Sequence, residues 1–230
     1  MVVCVVGAAG RTGRIIASHL YASDHPVRGL VRSEESTQVV FDLRKGKGPG
    51  ARAIQPVVAD VLGDRDHLVE LFRDCEAVVN ATGASEPAAS GPDVNRDGAI
   101  AVIEAARAAG VRRLLHLSCM YADRPAEAPD SLRPTCAAKH DAEQAVRDSD
   151  LEWTIVRPGP LEDSGPAGQL SLGVHLHDPD PVSREDVAAV FGSCLALHET
   201  IGYAFDVAGG TTYLLSALDV LLGRRPSREV

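Results

Sequence analysis

The sequence predicts an α/β fold, a doubly wound parallel β-sheet of about seven strands with helices on both faces. Short runs of apolar, β-branched residues alternate with segments of helical periodicity, the order that right-handed crossovers between parallel strands require. The chain has 230 residues and is 45% hydrophobic, which suits one compact domain with a sizeable core. We therefore expect a single domain over residues 1–230, with a core part at 1–157 and a small C-terminal substrate lobe at 158–230.

Three glycines join the first strand to the first helix. Residues 2–6 are apolar, as in a strand buried on both faces. Gly7 permits a tight turn, Gly10 lets a ligand approach the backbone, and Gly13 lets the helix pack on the sheet. The helix N-terminus offers free N–H groups and a positive dipole end to a pyrophosphate. The turn predicts a dinucleotide site, the alternative being a structural turn without a ligand. The residues expected to line it are Gly7, Ala9, Gly10, Arg11, Thr12 and Gly13.

The end of the second strand, expected at 26–32, indicates which dinucleotide is bound. In a Rossmann-type sheet an acidic residue here accepts from the ribose 2′-OH of NAD, whereas an arginine accommodates the 2′-phosphate of NADP. This strand ends in Arg32, and we expect Arg11 to approach from the other side. The two cations favour NADP(H) over NAD(H). Glu34 and Glu35 lie just beyond, and the alternative for Arg32 is a solvated charge.

Alternating elements continue through the middle of the chain. They are a polar helix and glycine-rich loop at 33–50, a third strand at 53–60, a helix at 64–72, a fourth strand at 77–83 and a loop at 84–92. Pro56 cannot donate to a ladder, so the third strand should be short or lie near an edge. Ligands bind beyond the carboxyl ends of parallel strands. The residues at those ends, further candidates for cofactor binding, are Asp60, Val61, Ala81, Thr82 and Gly83.

The second half continues the alternation. We expect a helix at 93–109, a fifth strand at 113–118, a flap-like loop at 119–134, a helix at 135–149, a sixth strand at 152–157, a short strand within 170–176, a helix at 183–197, a seventh strand at 203–207 and a closing helix at 212–222. Ile100, Ile103 and Ala106 should mark the buried stripe of the first of these helices, before Gly110 as its C′ residue. Thr135 is the expected N-cap of the next helix, and a capping box starts at Ser183.

Composition excludes several classes of partner. The net charge is −9 without a basic run, so nucleic acid and anionic membranes are not expected partners. The five cysteines show no paired metal-ligand spacing, which indicates reduced thiols and a cytoplasmic location. Neither a signal peptide nor a membrane span is expected. We expect a monomer or homodimer that acts on a small molecule.

Other chemistry-bearing residues have structural explanations. His175 and His177 would share a face on a strand, but no third metal ligand is evident. His116 is interpreted as a buried histidine with satisfied hydrogen bonds. Cys119 and Cys136 lie near the expected pocket mouth, either as redox-sensing thiols or as small packing residues.

Several separated segments resemble a known family. They are residues 7–13, Gly98 with 105–111, 117–118, Lys139 with Glu143, 153–159 and 182–188. Together they resemble an atypical short-chain dehydrogenase/reductase, and are similar to its NAD(P)-binding, NmrA-like and flavin-reductase-like branch. The resemblance covers nearly the whole chain and implies a Rossmann-type fold without specifying a substrate.

The resemblance also implies a catalytic set. The family uses a serine, and a tyrosine four residues before a lysine; Ser118 and Lys139 match the serine and the lysine. Thr135 stands at the tyrosine position, and its hydroxyl is far less acidic than a phenol. Tyr121 is the candidate replacement acid, the alternative being a packing or rim tyrosine. Lys139 and Pro158 complete the expected cofactor-binding residues.

The expected function is therefore an NADPH-dependent oxidoreductase that passes hydride to a small conjugated or aromatic acceptor. One alternative is an NmrA-like regulator or redox sensor that binds NADP(H) without turnover, which the missing tyrosine favours. Another is a nucleotide-dependent epimerase or dehydratase.

Overall fold

The structure is a computed structural model that describes residues 2–43, 54–63, 65–84, 93–177 and 179–224. The glycine-rich part of the loop expected at 33–50 and nearly all of the loop expected at 84–92 lie outside the described residues. So do the first residues expected for the third strand and for the helix at 64–72.

The strands carry most of the framework. Their bounds are β1 (Val3–Val6), β2 (Val27–Val31), β3 (Ile54–Val58), β4 (Ala77–Asn80), β5 (Arg113–Leu117), β6 (Glu152–Pro158), β7 (Leu161–Glu162), β8 (Gln169–Gly173), β9 (Val182–Ser183), β10 (Ala204–Gly209) and β11 (Thr212–Tyr213). The helices are α1 (Arg11–Ala22), α2 (Thr37–Asp42), α3 (Arg65–Phe72), α4 (Ala99–Ala108), α5 (Arg133–Arg147), α6 (Arg184–Ala196) and α7 (Leu214–Leu221).

The main sheet has the order β11-β8-β10-β6-β5-β4-β1-β2-β3. Every neighbouring pair from β10 to β3 is parallel, and β1 pairs with both β2 and β4. The chain therefore moves outward from β1 in both directions, which opens a crevice at the carboxyl end of β1. The predicted doubly wound α/β class is confirmed. Pro56 lies in the edge strand β3, as the sequence predicts.

The strand count exceeds the prediction of about seven. Within the part of the chain that the structure describes, nine strands form the main sheet, and β7 and β9 form a separate pair. The extra strands β7, β9 and β11 contain two residues each, too few to show an apolar alternation in the sequence. β8 pairs antiparallel with β10 and with β11, so this edge of the sheet departs from the wholly parallel arrangement expected.

The core lies in two layers, one on each face of the sheet. Val3 and Val5 belong to one apolar cluster, and Cys4 and Val6 belong to the other. This alternation explains why β1 is apolar throughout, since successive strand side chains point to opposite faces. Helices α1 and α6 supply one cluster, and α3 and α4 supply the other. None of the helices in the described parts has the length and apolar character needed to cross a bilayer.

Several helix boundaries differ from those expected. The helix predicted at 93–109 begins with a π-helical turn at Val94–Gly98, and its Ile100 is only half-buried. Thr135 is not an N-cap, because α5 already begins at Arg133. The reason is Pro134, which is favoured in a first helical turn where its missing N–H is not needed.

Two predicted helix termini are confirmed. Gly110 follows α4 with a φ of +78°, in the left-handed region that ends many helices. Ser183 caps α6, and its Oγ accepts a hydrogen bond of 2.9 Å from the Asp186 N–H.

The glycine turn brings α1 into direct contact with the ends of β1 and β4. Gly7 has a φ of +79°, and a Cβ there would lie 2.6 Å from the carbonyl oxygen of Ala81. A Cβ on Gly13 would lie 2.2 Å from the carbonyl oxygen of Gly7. Both neighbours are backbone atoms that cannot rotate away, so α1 can start here only if these positions lack side chains.

Gly13→Ala should destabilise the fold by about 3 kcal/mol, because the added methyl group overlaps backbone. Gly110→Ala is the matched control, since a Cβ there meets nothing within 4 Å and only its positive φ opposes the change. It should cost about 1 kcal/mol. Urea unfolding of the two variants measures the difference, and equal costs would show that α1 can move away from β1 without penalty.

Candidate active site

Two cavities meet at the carboxyl end of the sheet, on either side of the glycine turn. The first has a volume of about 400 Å³ and runs toward the ends of β2 and β3. The second, of about 280 Å³, runs toward the ends of β5 and β6. They adjoin as one groove because they share five lining residues, which are Gly10, Ala81, Thr82, Gly83 and Ala84. Every residue predicted from the sequence to bind a cofactor lines one of the two cavities.

The first cavity contains the residues expected to choose between nucleotides. Arg32 is exposed at the end of β2 and lines this cavity with Ser36 and Asp60. The carboxylate of Asp60 accepts a hydrogen bond of 3.0 Å from the Leu62 N–H. Arg11 lines the second cavity instead, so the structure does not bring it together with Arg32 in one cavity.

Ser118 and Lys139 lie together on the wall of the second cavity. The Lys139 Nζ donates a hydrogen bond of 3.1 Å to the Leu117 carbonyl, and only 8% of the residue is exposed. Burial lowers the pKa of Lys139. The Ser118 hydroxyl is buried and makes no hydrogen bond of normal geometry among the described residues, but its proximity to Glu143 contributes to lowering the pKa of that carboxyl. A buried hydroxyl and a largely buried ammonium therefore lie together at the cavity wall.

The tyrosine position and its suggested replacement lie elsewhere. Thr135 is the third residue of α5 and lines neither cavity. Tyr121 also lines neither cavity; its φ is +69°, and the Arg124 guanidinium lies 5.1 Å from its ring centroid. This packing favours the interpretation of Tyr121 as a packing or rim residue.

Two buried asparagines that the sequence did not single out hold the segment after β4. The Asn80 amide donates to the Ala99 carbonyl at 3.2 Å, and its oxygen accepts from the Thr82 hydroxyl at 2.7 Å. Asn95, in the π-helical turn, accepts from the Ala84 N–H at 3.1 Å. In the sequence, the only indication of this role is that Asn80 is a polar residue at the end of an otherwise apolar strand. Together these amides fix the backbone that the two cavities share.

A buried ion pair joins α5 to β6 beneath the second cavity. The Arg157 Nε and Nη2 donate to the two oxygens of Glu143 at 2.8 and 2.7 Å, and Arg147 adds a bond of 3.0 Å. Burial raises the pKa of Glu143, but the hydrogen bonds and charge of Arg157 outweigh it and hold that pKa below its ordinary value. The carboxylate therefore stays ionised. Lys139 lies one turn earlier on the same helix, so this pair fixes its position.

The network continues toward the loop after β5. Arg157 Nη1 donates to Asp123 at 3.0 Å, and Arg124 donates to Asp206 at 3.2 Å. His175 contacts the same Asp123 carboxylate oxygen at 2.8 Å. His175 and His177 do not lie on a strand, and the described residues hold no cluster of three or more metal-ligating side chains. The loop expected to be a substrate flap is thus tied to the core by charged hydrogen bonds.

His116 on β5 corrects one expectation. It is fully buried, as predicted, but neither ring nitrogen has a hydrogen-bond partner among the described residues. Burial, with a contribution from the Lys139 charge, lowers the pKa of His116 to about 3. The imidazole is therefore neutral in the folded chain at ordinary pH.

Comparison with known proteins identifies the family. The profile of a family described as NAD(P)H-binding matches residues 7–197. The chain belongs to this NAD(P)H-binding family. Its fold and sequence also fit the atypical short-chain dehydrogenase/reductases that the motifs resemble.

Relatives of this NAD(P)H-binding protein carry different names. It is 31% identical over 226 residues to the uncharacterized sugar epimerase YhfK of Bacillus subtilis, covering 96% of this chain and all of that one. It is 35% identical over 215 residues to a (4-alkanoyl-5-oxo-2,5-dihydrofuran-3-yl)methyl phosphate reductase of Streptomyces griseus, covering 90% of this chain and 67% of that one. A Bacillus halodurans structure, provisionally named an NAD-dependent epimerase/dehydratase, superimposes with a TM-score of 0.84 at 30% identity, covering 96% of this chain and all of that one.

The groove of this NAD(P)H-binding protein suits a dinucleotide. Gly10 is the N-cap of α1 and provides no side-chain cap, so the first-turn N–H groups remain available to phosphate oxygens. Gly7 lines the first cavity, Gly13 lines the second, and Gly10 between them lines both. A ligand that spans both cavities must therefore cross the start of α1.

His116 should give the protein a measurable sensitivity to acid. Its folded pKa of about 3 lies below the ordinary 6.5, so the stability it supports is complete above pH 6.5 and is lost as pH falls toward 3. From pH 7 to pH 5 this loss amounts to about 2 kcal/mol in the free energy of unfolding. Urea unfolding at both pH values checks the figure.

The variant His116→Leu should lack this part of the pH dependence. Exposed His177 provides the control, and His177→Gln should keep the wild-type slope. The same slope in His116→Leu as in wild type would mean that His116 accepts its proton without unfolding the chain.

Proposed function

We propose that this chain is an NADPH-dependent reductase that transfers hydride to a small conjugated or aromatic acceptor. The observation that carries the proposal is the joining of the two cavities at the N-terminus of α1, with Arg32 at one end and Ser118 and Lys139 at the other. The relative named as a dihydrofuran phosphate reductase supports a small oxo-substituted ring as the acceptor class. A cytoplasmic location is part of this proposal, since the five cysteines show no paired spacing in the sequence.

Different residues of the groove would bind different parts of the cofactor. The first-turn N–H groups of α1 would bind the pyrophosphate, since they combine free donors with the positive end of the helix dipole. Arg32, with Ser36 beside it, would bind the 2′-phosphate that distinguishes NADPH from NADH. Asp60, Val61 and the segment Ala81–Gly83 would form the walls.

The second cavity would supply positioning and polarisation. The bound cofactor supplies the hydride, and the protein supplies orientation and electrostatics. The Lys139 ammonium uses one of its three N–H groups to bond the Leu117 carbonyl, so the others can donate to a ribose hydroxyl of the cofactor. Its positive charge would also stabilise negative charge on a nearby oxygen of the acceptor. Ser118 Oγ can donate a hydrogen bond to an oxygen of the acceptor and polarise it. The proton needed after reduction would come from solvent, because neither Thr135 nor Tyr121 lines the cavity.

A second candidate function is a nucleotide-binding regulator without turnover. The observation that favours it is the threonine in place of the usual tyrosine, on a helix turn outside the cavity. Such a protein would bind NADPH through the same groove but oxidise it with no acceptor.

Arg32→Glu should exchange the nucleotide preference. The carboxylate repels the 2′-phosphate and accepts from the 2′-OH, so the ratio of NADPH to NADH affinity should fall at least about tenfold. Arg14→Glu is the matched control because it makes the same charge change on α1, at a residue that lines neither cavity. Fluorescence titration with both nucleotides measures the ratio. An unchanged ratio in Arg32→Glu would remove the 2′-phosphate assignment.

Lys139→Ala should separate turnover from binding. Loss of the ammonium should lower kcat by about a hundredfold and weaken NADPH binding by less than about tenfold, as for a residue that acts mainly in the transition state. NADPH oxidation with a panel of quinones, flavins and enones supplies the assay. If the wild-type chain binds NADPH but oxidises it with none of these acceptors, the regulator is the better description.

A further inference from the structure

Two cysteines face each other on the wall of the second cavity. The Sγ atoms of Cys119 and Cys136 are 3.7 Å apart. Cys119 is half-buried and lines the cavity, whereas Cys136 is buried beneath it with its Sγ 3.6 Å from the Met120 carbonyl. A disulfide requires sulfurs about 2.05 Å apart, so a closure of less than 2 Å would join them.

The surroundings of this pair differ from those of the other described thiols. Cys4 and Cys75 also lie near each other, but Cys4 is completely buried in the core and Cys75 is only 6% exposed. Cys194 is completely buried. Cys119 therefore combines a neighbouring thiol with access from a cavity that opens to solvent. The hydrogen bond between the two thiols lowers the pKa of Cys136 and, together with burial, raises the pKa of Cys119. Of the two thiols, Cys136 is therefore the more readily ionised.

We propose that Cys119 and Cys136 form a reversible disulfide that weakens cofactor binding when a two-electron oxidant such as hydrogen peroxide enters the second cavity. The pair is thus a modification site that responds to the oxidation state of the surroundings. This role goes beyond the proposed reductase activity, because it requires neither an acceptor nor turnover.

The chemistry needs one peroxide for each pair. One of the two sulfurs attacks a peroxide oxygen, the O–O bond breaks, and the leaving hydroxide takes the thiol proton to form water. The other sulfur then attacks the resulting sulfenic sulfur, the S–S bond forms and the S–O bond breaks. The departing hydroxide takes the second thiol proton, so two thiols and one peroxide give one disulfide and two waters. A dithiol reductant reverses the reaction by exchange.

The position of the pair connects this bond to the groove. Cys119 follows Ser118 directly, and Cys136 lies one helical turn before Lys139 on α5. Drawing the two sulfurs together pulls the end of β5 and the first half of α5 toward each other. That movement changes the separation of the Ser118 hydroxyl and the Lys139 ammonium, which the second cavity presents to a ligand.

The experiment treats the full chain with increasing peroxide and follows its thiols and its NADPH affinity together. Arg124 and Arg133 are each followed by proline, where trypsin does not cut, so both cysteines fall in the single peptide 114–139. We expect this peptide to lose two hydrogens and resist alkylation after oxidation. The NADPH dissociation constant should rise about threefold, less than complete loss of the Lys139 ammonium would cause, and return to its first value with dithiothreitol.

Variants identify the bond. Cys119→Ser and Cys136→Ser should each prevent both the loss of hydrogens and the change in affinity, and Cys119→Ser alone suffices if the buried Cys136→Ser fails to fold. Cys75→Ser is the matched control and should respond as wild type does. Alkylation of both cysteines in the oxidised protein, or loss of the response in Cys75→Ser, would overturn the proposal. If the disulfide forms but the NADPH dissociation constant does not change, the proposed effect of the disulfide on cofactor binding is wrong. If the reduced chain binds no NADPH, the proposed function is wrong, and the peptide mapping alone then tests whether the disulfide forms.

Discussion

The absence of space between the first turn of α1 and the end of β1 is the constraint on which the groove depends. A side chain at Gly13 would overlap the Gly7 carbonyl, and one at Gly7 would overlap the Ala81 carbonyl. With glycine at both positions, the helix starts at the topological switch between β1 and its neighbours. The helix dipole and the free first-turn N–H groups are thereby directed into the crevice where the two cavities join. Arg32 lines the cavity on one side of that junction, and Lys139 lines the cavity on the other side.

A second constraint is the buried pair of Glu143 and Arg157. Removing two charges from water is costly, and the cost is met only when the geometry is good and further hydrogen bonds complete the network. Here Arg147 and Asp123 complete it, so α5, β6 and the loop after β5 are held as one unit. This unit carries Ser118, Lys139 and both cysteines of the proposed disulfide. The buried charges therefore hold the elements that line the second cavity in one arrangement.

The sequence predicts the glycine turn, the order of elements and the residues lining the groove because each depends on local rules. Strand periodicity, Gly110 after α4 and the capping box at Ser183 are read from neighbouring residues. The predictions that were wrong concern features that depend on residues far apart in the chain. The two-residue strands form only because they pair with segments distant in the chain. Helix α5 begins at Arg133, before Thr135, because proline is tolerated in the first turn of a helix.

The candidate site shows the same division. The loop-to-core ion pairs, the amides of Asn80 and Asn95 and the unpartnered ring of His116 involve residues far apart in the chain, so composition and spacing could not reveal them. That Arg11 and Arg32 line different cavities likewise follows from the path of β2 relative to α1, which spacing alone does not give.

Binding of a dinucleotide pyrophosphate at the N-terminus of α1 is the central proposal for this protein. A crystal structure of the chain grown with NADPH tests it. We predict electron density for the two phosphates against the backbone N–H groups of residues 11–13, with the rest of the nucleotide spanning both cavities. Nucleotide density elsewhere, or only solvent at the start of α1 at saturating NADPH, would contradict the account.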